Sequence, residues 1–102
     1  MNNYTKYLVY CVTKEFDEYG MATCGHYAIV NVRYSENETR IMKERKAVEA
    51  WKFQQGCSHL DIELERVIYD VPVWSAVDVS DEGQDNDSYY IVVQHLPYKI
   101  SK

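Results

Sequence analysis

A change of hydrophobic period limits what this chain can become. Before residue 34 the chain alternates with the two-residue period of strands, and in 4–13 both sets, Leu8, Tyr10 and Val12 against Tyr7, Val9 and Cys11, are largely apolar, as in a strand covered on both faces or nearly so. From about 38 to 55 apolar residues recur three and four apart, with Ile41, Val48 and Trp51 on one stripe and Ala47 and Ala50 beside it. Ser35 followed by Glu38 has the spacing of a capping box, and Gly56 supplies a stop that accepts the left-handed conformation. One helix of residues 38–55, set among alternating stretches, is therefore expected.

The strands follow from the same pattern. Residues 4–13 and 26–34 alternate and are expected to pair as an antiparallel hairpin, with 14–25 as a loop because it holds Asp17, Glu18, Gly20 and Gly25. Residues 60–71 fit both periods. The β-favouring run Val67-Ile68-Tyr69 favours a strand over 62–71, which Pro72 ends or bends. Residues 73–79 and 88–95 read as two further strands around a polar loop, 80–87. The order β-β-α-β-β-β predicts an α+β fold, a mostly antiparallel sheet of four to five strands with the one long helix on one face. A length of 102 residues suits a single domain, 1–102. One helix cannot cover both faces of such a sheet, so the second face is wet or meets a partner.

No apolar run approaches the roughly 18 residues of a membrane span, and Lys6 interrupts the place where a signal peptide would have its apolar core. An odd count of three cysteines, Cys11, Cys24 and Cys57, suits free thiols in a reducing cytoplasm.

The formal net charge of −5 is unevenly spread. Residues 61–87 carry nine acids and only Arg66, whereas residues 1–60 are nearly neutral. This disfavours general binding to nucleic-acid phosphates, a term that grows with the number of cations presented. Asp61, Glu63, Glu65, Asp78, Asp81, Glu82, Asp85 and Asp87 instead form a candidate anionic surface, with Tyr89 at its margin. Ten tyrosines against two phenylalanines point the same way, because tyrosine suits half-exposed contact patches better than dry cores.

Two other constellations carry chemistry. Arg40, Lys43, Arg45 and Lys46 make the helix basic enough for a small nucleic-acid-binding module, although Glu36, Glu38, Glu44 and Glu49 dilute them. Cys24-Gly25-His26 and Cys57-Ser58-His59 place a thiol and an imidazole two apart, twice, so Cys24, His26, Cys57 and His59 are candidate zinc ligands. There is no glycine-rich phosphate loop, no Gly-x-Ser-x-Gly elbow and no His-Glu-x-x-His motif. No catalytic residue and no cofactor is expected.

The leading expectation is thus a non-enzymatic inhibitor whose acidic surface engages a basic, nucleic-acid-binding cleft on a larger protein. In size, acidity and lack of catalytic motifs the chain resembles the phage-encoded inhibitors of host defence, such as anti-CRISPR and anti-restriction proteins. That likeness carries no residue-level correspondence. A strand edge bearing tyrosines is also compatible with a homodimer.

Overall fold

The helix is defined by its two ends. In the computed structural model, which describes residues 3–17, 20–79 and 88–96 (without the side chains of 15–17 and 20–25), α1 runs Arg40–Gln54. Thr39 is extended, and its hydroxyl accepts from the Met42 N–H at 3.3 Å, so Thr39 and not Ser35 is the N-cap. The Ser35–Glu38 pair forms one turn earlier. There the Ser35 N–H donates to the Glu38 carboxylate at 2.8 Å, and the Glu38 N–H donates to the Ser35 carbonyl at 3.2 Å. At the other end Gly56 has φ +66. The Gly56 N–H donates to the Phe53 carbonyl and the Cys57 N–H to the Lys52 carbonyl, the paired bonds of a Schellman stop. That stop turns Cys57 inward, where it is buried.

β1 (Asn3–Asp17) and β2 (Gly20–Tyr34) pair antiparallel, with Tyr7 opposite Val30 and Val9 opposite Ala28. The loop expected over 14–25 is corrected, since residues 14–17 and 20–25 continue the two strands through register shifts after Val9, Cys11 and Val12. Alternation reports the burial of one face, not strand pairing itself. Backbone bonds carry the pairing through bulges even where the side-chain pattern is lost. A 15-residue strand spans about 50 Å, which matches the 48 Å long axis of the molecule.

After α1 the chain forms β3 (Leu60–Ile68), β4 (Val71–Asp78) and β5 (Ser88–Leu96). The sheet order is β2-β1-β5-β4-β3, antiparallel throughout, so the five-stranded α+β architecture matches the expected order. The strand expected over 62–71 ends at Ile68. Tyr69 and Asp70 form the turn, and Pro72 lies inside β4. Pro72 is tolerated because β4 pairs with β5 only from Trp74 to Val77, which leaves the start of β4 free of that ladder.

The core lies between α1 and one sheet face. Tyr7, Val9, Val30, Trp74 and Ile91 meet Ala47, Val48 and Trp51 of the helix. Ile41 and Ala50 flank them, partly buried. Glu44 belongs to the same helical stripe and is 3% exposed. Its carboxylate accepts from Trp74 Nε1 at 2.9 Å and from Arg40 Nε at 2.8 Å. Burying a carboxylate is tolerable only with such partners.

Tyr69 and Asp70 have φ +48 and +65. Two consecutive left-handed residues are what a type I′ hairpin turn needs, and it favours Asn-Gly. Side chains with a Cβ are strained there by about 1–2 kcal/mol each, less for aspartate. Tyr69 is 96% exposed, so its ring contributes no packing. The Tyr69→Asn, Asp70→Gly double variant is expected to be more stable by about 1 kcal/mol, read as a higher urea midpoint with unchanged slope. An unchanged or lower midpoint shows that this turn stores no such strain.

Candidate functional site

No helix covers the sheet face away from α1, although Val12 and Ser75 on that face are buried and Lys14 of β1 reaches Glu65 of β3 across it. The odd-numbered residues Tyr7, Val9 and Cys11 of β1 point to the helix and are buried, so Tyr4, Leu8 and Tyr10 point outward. Tyr27 and Ile29 of β2 share that outer face and are exposed, Ile29 at 61%. The Tyr10 and Tyr27 rings stack with centroids 4.6 Å apart. The result is an aromatic and aliphatic patch over β1 and β2, rigidified by a stacked pair. Tyr7 and Tyr34, by contrast, lie on the helix side. Tyr7 packs against His95 at 5.2 Å, and burial pushes its hydroxyl above the usual tyrosine range. Tyr34 lies under the Lys43 ammonium, 4.6 Å from the ring centroid.

The acidic candidates divide between the two faces. Asp61, Glu63 and Glu65 alternate with Leu60, Ile62 and Leu64, which pack against the core or near it. The three acids therefore share the outer face of edge strand β3. Asp78 stands opposite Leu60 in the register, and Tyr89 stands opposite Ala76 and packs against the core. Both belong to the helix side, so the structure does not join them to Asp61 and Glu63. Face assignment depends on register, and composition does not reveal it. Asp81, Glu82, Asp85 and Asp87 lie outside the described residues.

Glu65 is already engaged. Lys14 Nζ lies 2.7 Å from its Oε1 and passes over the Tyr90 ring, 4.9 Å from the centroid. Arg66 bonds the other oxygen at 3.0 Å. The hydrogen bond from Lys14, helped by Arg66, holds the Glu65 carboxyl below the usual carboxylate range. Asp61 and Glu63 are left as the exposed acids of this edge.

The basic helix is engaged within the fold. Arg40 bonds Glu44, and its Nη1 reaches the Asp70 carbonyl at 3.4 Å. Lys43 covers Tyr34, and the Arg45 guanidinium stands 5.0 Å from the Trp74 ring centroid. Lys46 lies 2.6 Å from Glu38 and donates to the Arg33 carbonyl at 2.9 Å. Contact with Lys46 and with the Ser35 N–H holds the Glu38 carboxyl below its usual range. Each of the four cations would have to leave an internal partner, at least in part, to bind a phosphate.

Three of the four Cys-x-His side chains lie together. His26, Cys57 and His59 line one small cavity of about 50 Å³ together with Cys11, Leu60 and Tyr89. The side chain of Cys24 lies outside those described. Cys57 is a free thiol, and burial pushes it above the usual thiol range. Cys11 is disulfide-bonded, which corrects the expectation of free thiols throughout. Among the described residues no three His, Cys, Asp or Glu side chains are arranged to hold a metal ion.

A larger cleft of about 360 Å³ opens between Tyr7, Arg40, Lys43, Glu44 and His95. Two of its polar groups have partners, with His95 Nε2 2.6 Å from the Thr5 hydroxyl and Glu44 held by Trp74 and Arg40. Among the described residues no helix is long and apolar enough to cross a membrane. No family model, curated protein or solved structure matches this chain.

Proposed function

We propose that this chain is a non-enzymatic protein-binding domain that docks through the outer face of its sheet onto a basic surface of a larger protein. One observation carries the reading: a single face that no helix covers holds an aromatic and aliphatic patch at one side, Tyr4, Tyr10, Tyr27 and Ile29, and two exposed acids, Asp61 and Glu63, at the other, with the Lys14–Glu65 pair between them. Neighbouring strands lie about 4.8 Å apart, so β2 and β3 are about 19 Å apart across the sheet. A standard interface covers about 800 Å² per partner, enough to include both sides in one footprint. The apolar side supplies affinity and the acidic side selects a cationic partner.

The size, acidity and missing catalytic motifs that resemble phage-encoded inhibitors of host defence are what point to a nucleic-acid-handling partner, met in the cytoplasm. On this reading Asp61 and Glu63 occupy positions that phosphates would otherwise take.

The test compares partner capture by the native chain, by Ile29→Asp, and by the double variant Asp61→Lys, Glu63→Lys. All three substitutions fall at exposed positions. The expected result is a protein retained by the native chain at moderate salt and shed as salt rises. Each variant is expected to weaken its binding about tenfold or more. Retention indifferent to the substitutions, or a chain that itself shifts DNA or RNA in a low-salt gel, overturns the reading. So does self-association as the only interaction recovered.

A further inference from the structure

The cleft between Tyr7, Arg40, Lys43, Glu44 and His95 lies on the helix side of the sheet, and its volume is about 360 Å³. Small-molecule sites have roughly 300–1,000 Å³. One buried polar group in it has nothing to bond. Tyr7 is 4% exposed, and among the described residues its hydroxyl has no hydrogen-bond partner. Burying a hydroxyl without a partner is costly. The charges that act on it are those of Glu44 and Arg40, both on the cleft wall, so the hydroxyl end of the ring meets the cleft. Burial also keeps this hydroxyl protonated, and therefore a donor.

The charge around it is of one kind. α1 opens with Arg40, Ile41, Met42 and Lys43, two cations and no acid. The first turn of a helix has unsatisfied N–H groups and a positive potential, and it favours anions. Glu44 does not offset both cations, because Trp74 holds its Oε1 and Arg40 its Oε2. The Lys43 ammonium is left with the Tyr34 ring, and among the described residues no carboxylate pairs with it.

We infer that this cleft binds one small phosphomonoester, its phosphate held by Lys43, Arg40 and the Tyr7 hydroxyl. A phosphomonoester carries about −1.5 to −2 charges at pH 7 and three strong acceptor oxygens, which match two cations and a hydroxyl better than a carboxylate does. Arg40 gives up only its 3.4 Å contact with the Asp70 carbonyl and keeps its Nε bond to Glu44. Lys43 gives up only a ring face. His95, packed on the Tyr7 ring with its Nε2 2.6 Å from the Thr5 hydroxyl, is left to face the organic part of the ligand. Arg45 and Lys46 do not line the cleft, so its cations make one point of charge and not the extended row that a nucleic-acid backbone engages. The cleft and the outer face lie on opposite sides of the sheet, so this inference and the docking reading can fail separately.

The experiment titrates the full chain with phenyl phosphate, benzoate and benzyl alcohol at moderate salt, by calorimetry and two-dimensional NMR. Phenyl phosphate is expected to saturate at one equivalent and to shift the Arg40 Nε–H and the backbone N–H signals of 40–43. Benzoate is expected to bind about tenfold more weakly or worse, and benzyl alcohol not at all. Lys43→Gln and Tyr7→Phe are each expected to weaken phenyl phosphate binding about tenfold or more, the loss of one hydrogen bond to a charged group. Tyr7→Phe removes only an unbonded hydroxyl, so its urea midpoint is expected to equal or exceed the native one. Lys52→Gln, in the last turn of α1, is expected to leave binding unchanged. Absence of saturable phenyl phosphate binding overturns the inference. So does benzoate binding as tightly as phenyl phosphate, full affinity in both cleft variants, or an equal loss in Lys52→Gln.

Discussion

Trp51→Ala is expected to destabilise the domain by about 4 kcal/mol or more, with a urea midpoint too low for a complete native baseline. Trp51 has no exposed surface and lies where α1 meets β1 and β2. Removing the indole leaves a cavity that a helix pinned by a Schellman stop cannot fill by shifting. Large aromatic truncations of this kind cost about 3–5 kcal/mol. The lost donation from Nε1 to the His26 carbonyl adds about 1 kcal/mol. Small domains have only about 5–15 kcal/mol in total, so much of the native population disappears. Trp51→Phe keeps most of the volume and is expected to cost about half as much. A Trp51→Ala protein within about 1 kcal/mol of the native chain contradicts this packing.

Glu44→Ala is expected to cost about 2–3 kcal/mol, and Glu44→Gln about 1 kcal/mol or less, both by urea denaturation. The contrast separates charge from hydrogen bonding. Arg40 is half exposed, with 53% of its side chain accessible, so its ion pair with Glu44 is screened and worth little. The buried partner is the Trp74 N–H, which alanine leaves without an acceptor and glutamine still satisfies. Equal losses in the two variants assign the stabilisation to the charge and refute the hydrogen-bond account. A gain in stability for Glu44→Ala contradicts the stated role of the carboxylate altogether.

Glu44 also shows where sequence reading stops. The helix, its apolar stripe and its Gly56 stop are legible because propensity and period agree over many residues. Position 44 shares the spacing of Val48 and Trp51, yet a carboxylate there reads as solvated until Trp74 arrives from a strand thirty residues on. The ends of β1 and β2 are illegible for another reason, since a bulged ladder leaves no period to count. The acidic segment reads as one surface because composition has no faces. The register of β3 with β4 sends Asp61 and Glu63 to one side and Asp78 to the other. His26, Cys57 and His59 announce themselves by their couples. Cys11, mid-strand among apolar neighbours, gives no signal of its own and enters the cavity only through the pairing of β1 with β2.

The position of β1 in the sheet has a kinetic consequence. It is an interior strand whose second neighbour is β5, with Cys11 opposite Ile91, so the last ladder closes across some eighty residues of chain. Until 88–96 has been synthesised, β1–β2 and β3–β4 are two separate ribbons, and isolated ribbons of this kind are barely stable in water. A ribosome pausing before that segment holds an open sheet with two ladder edges awaiting the same strand. Successful biogenesis therefore depends on how promptly that final piece arrives, and chaperone demand should peak just before it does.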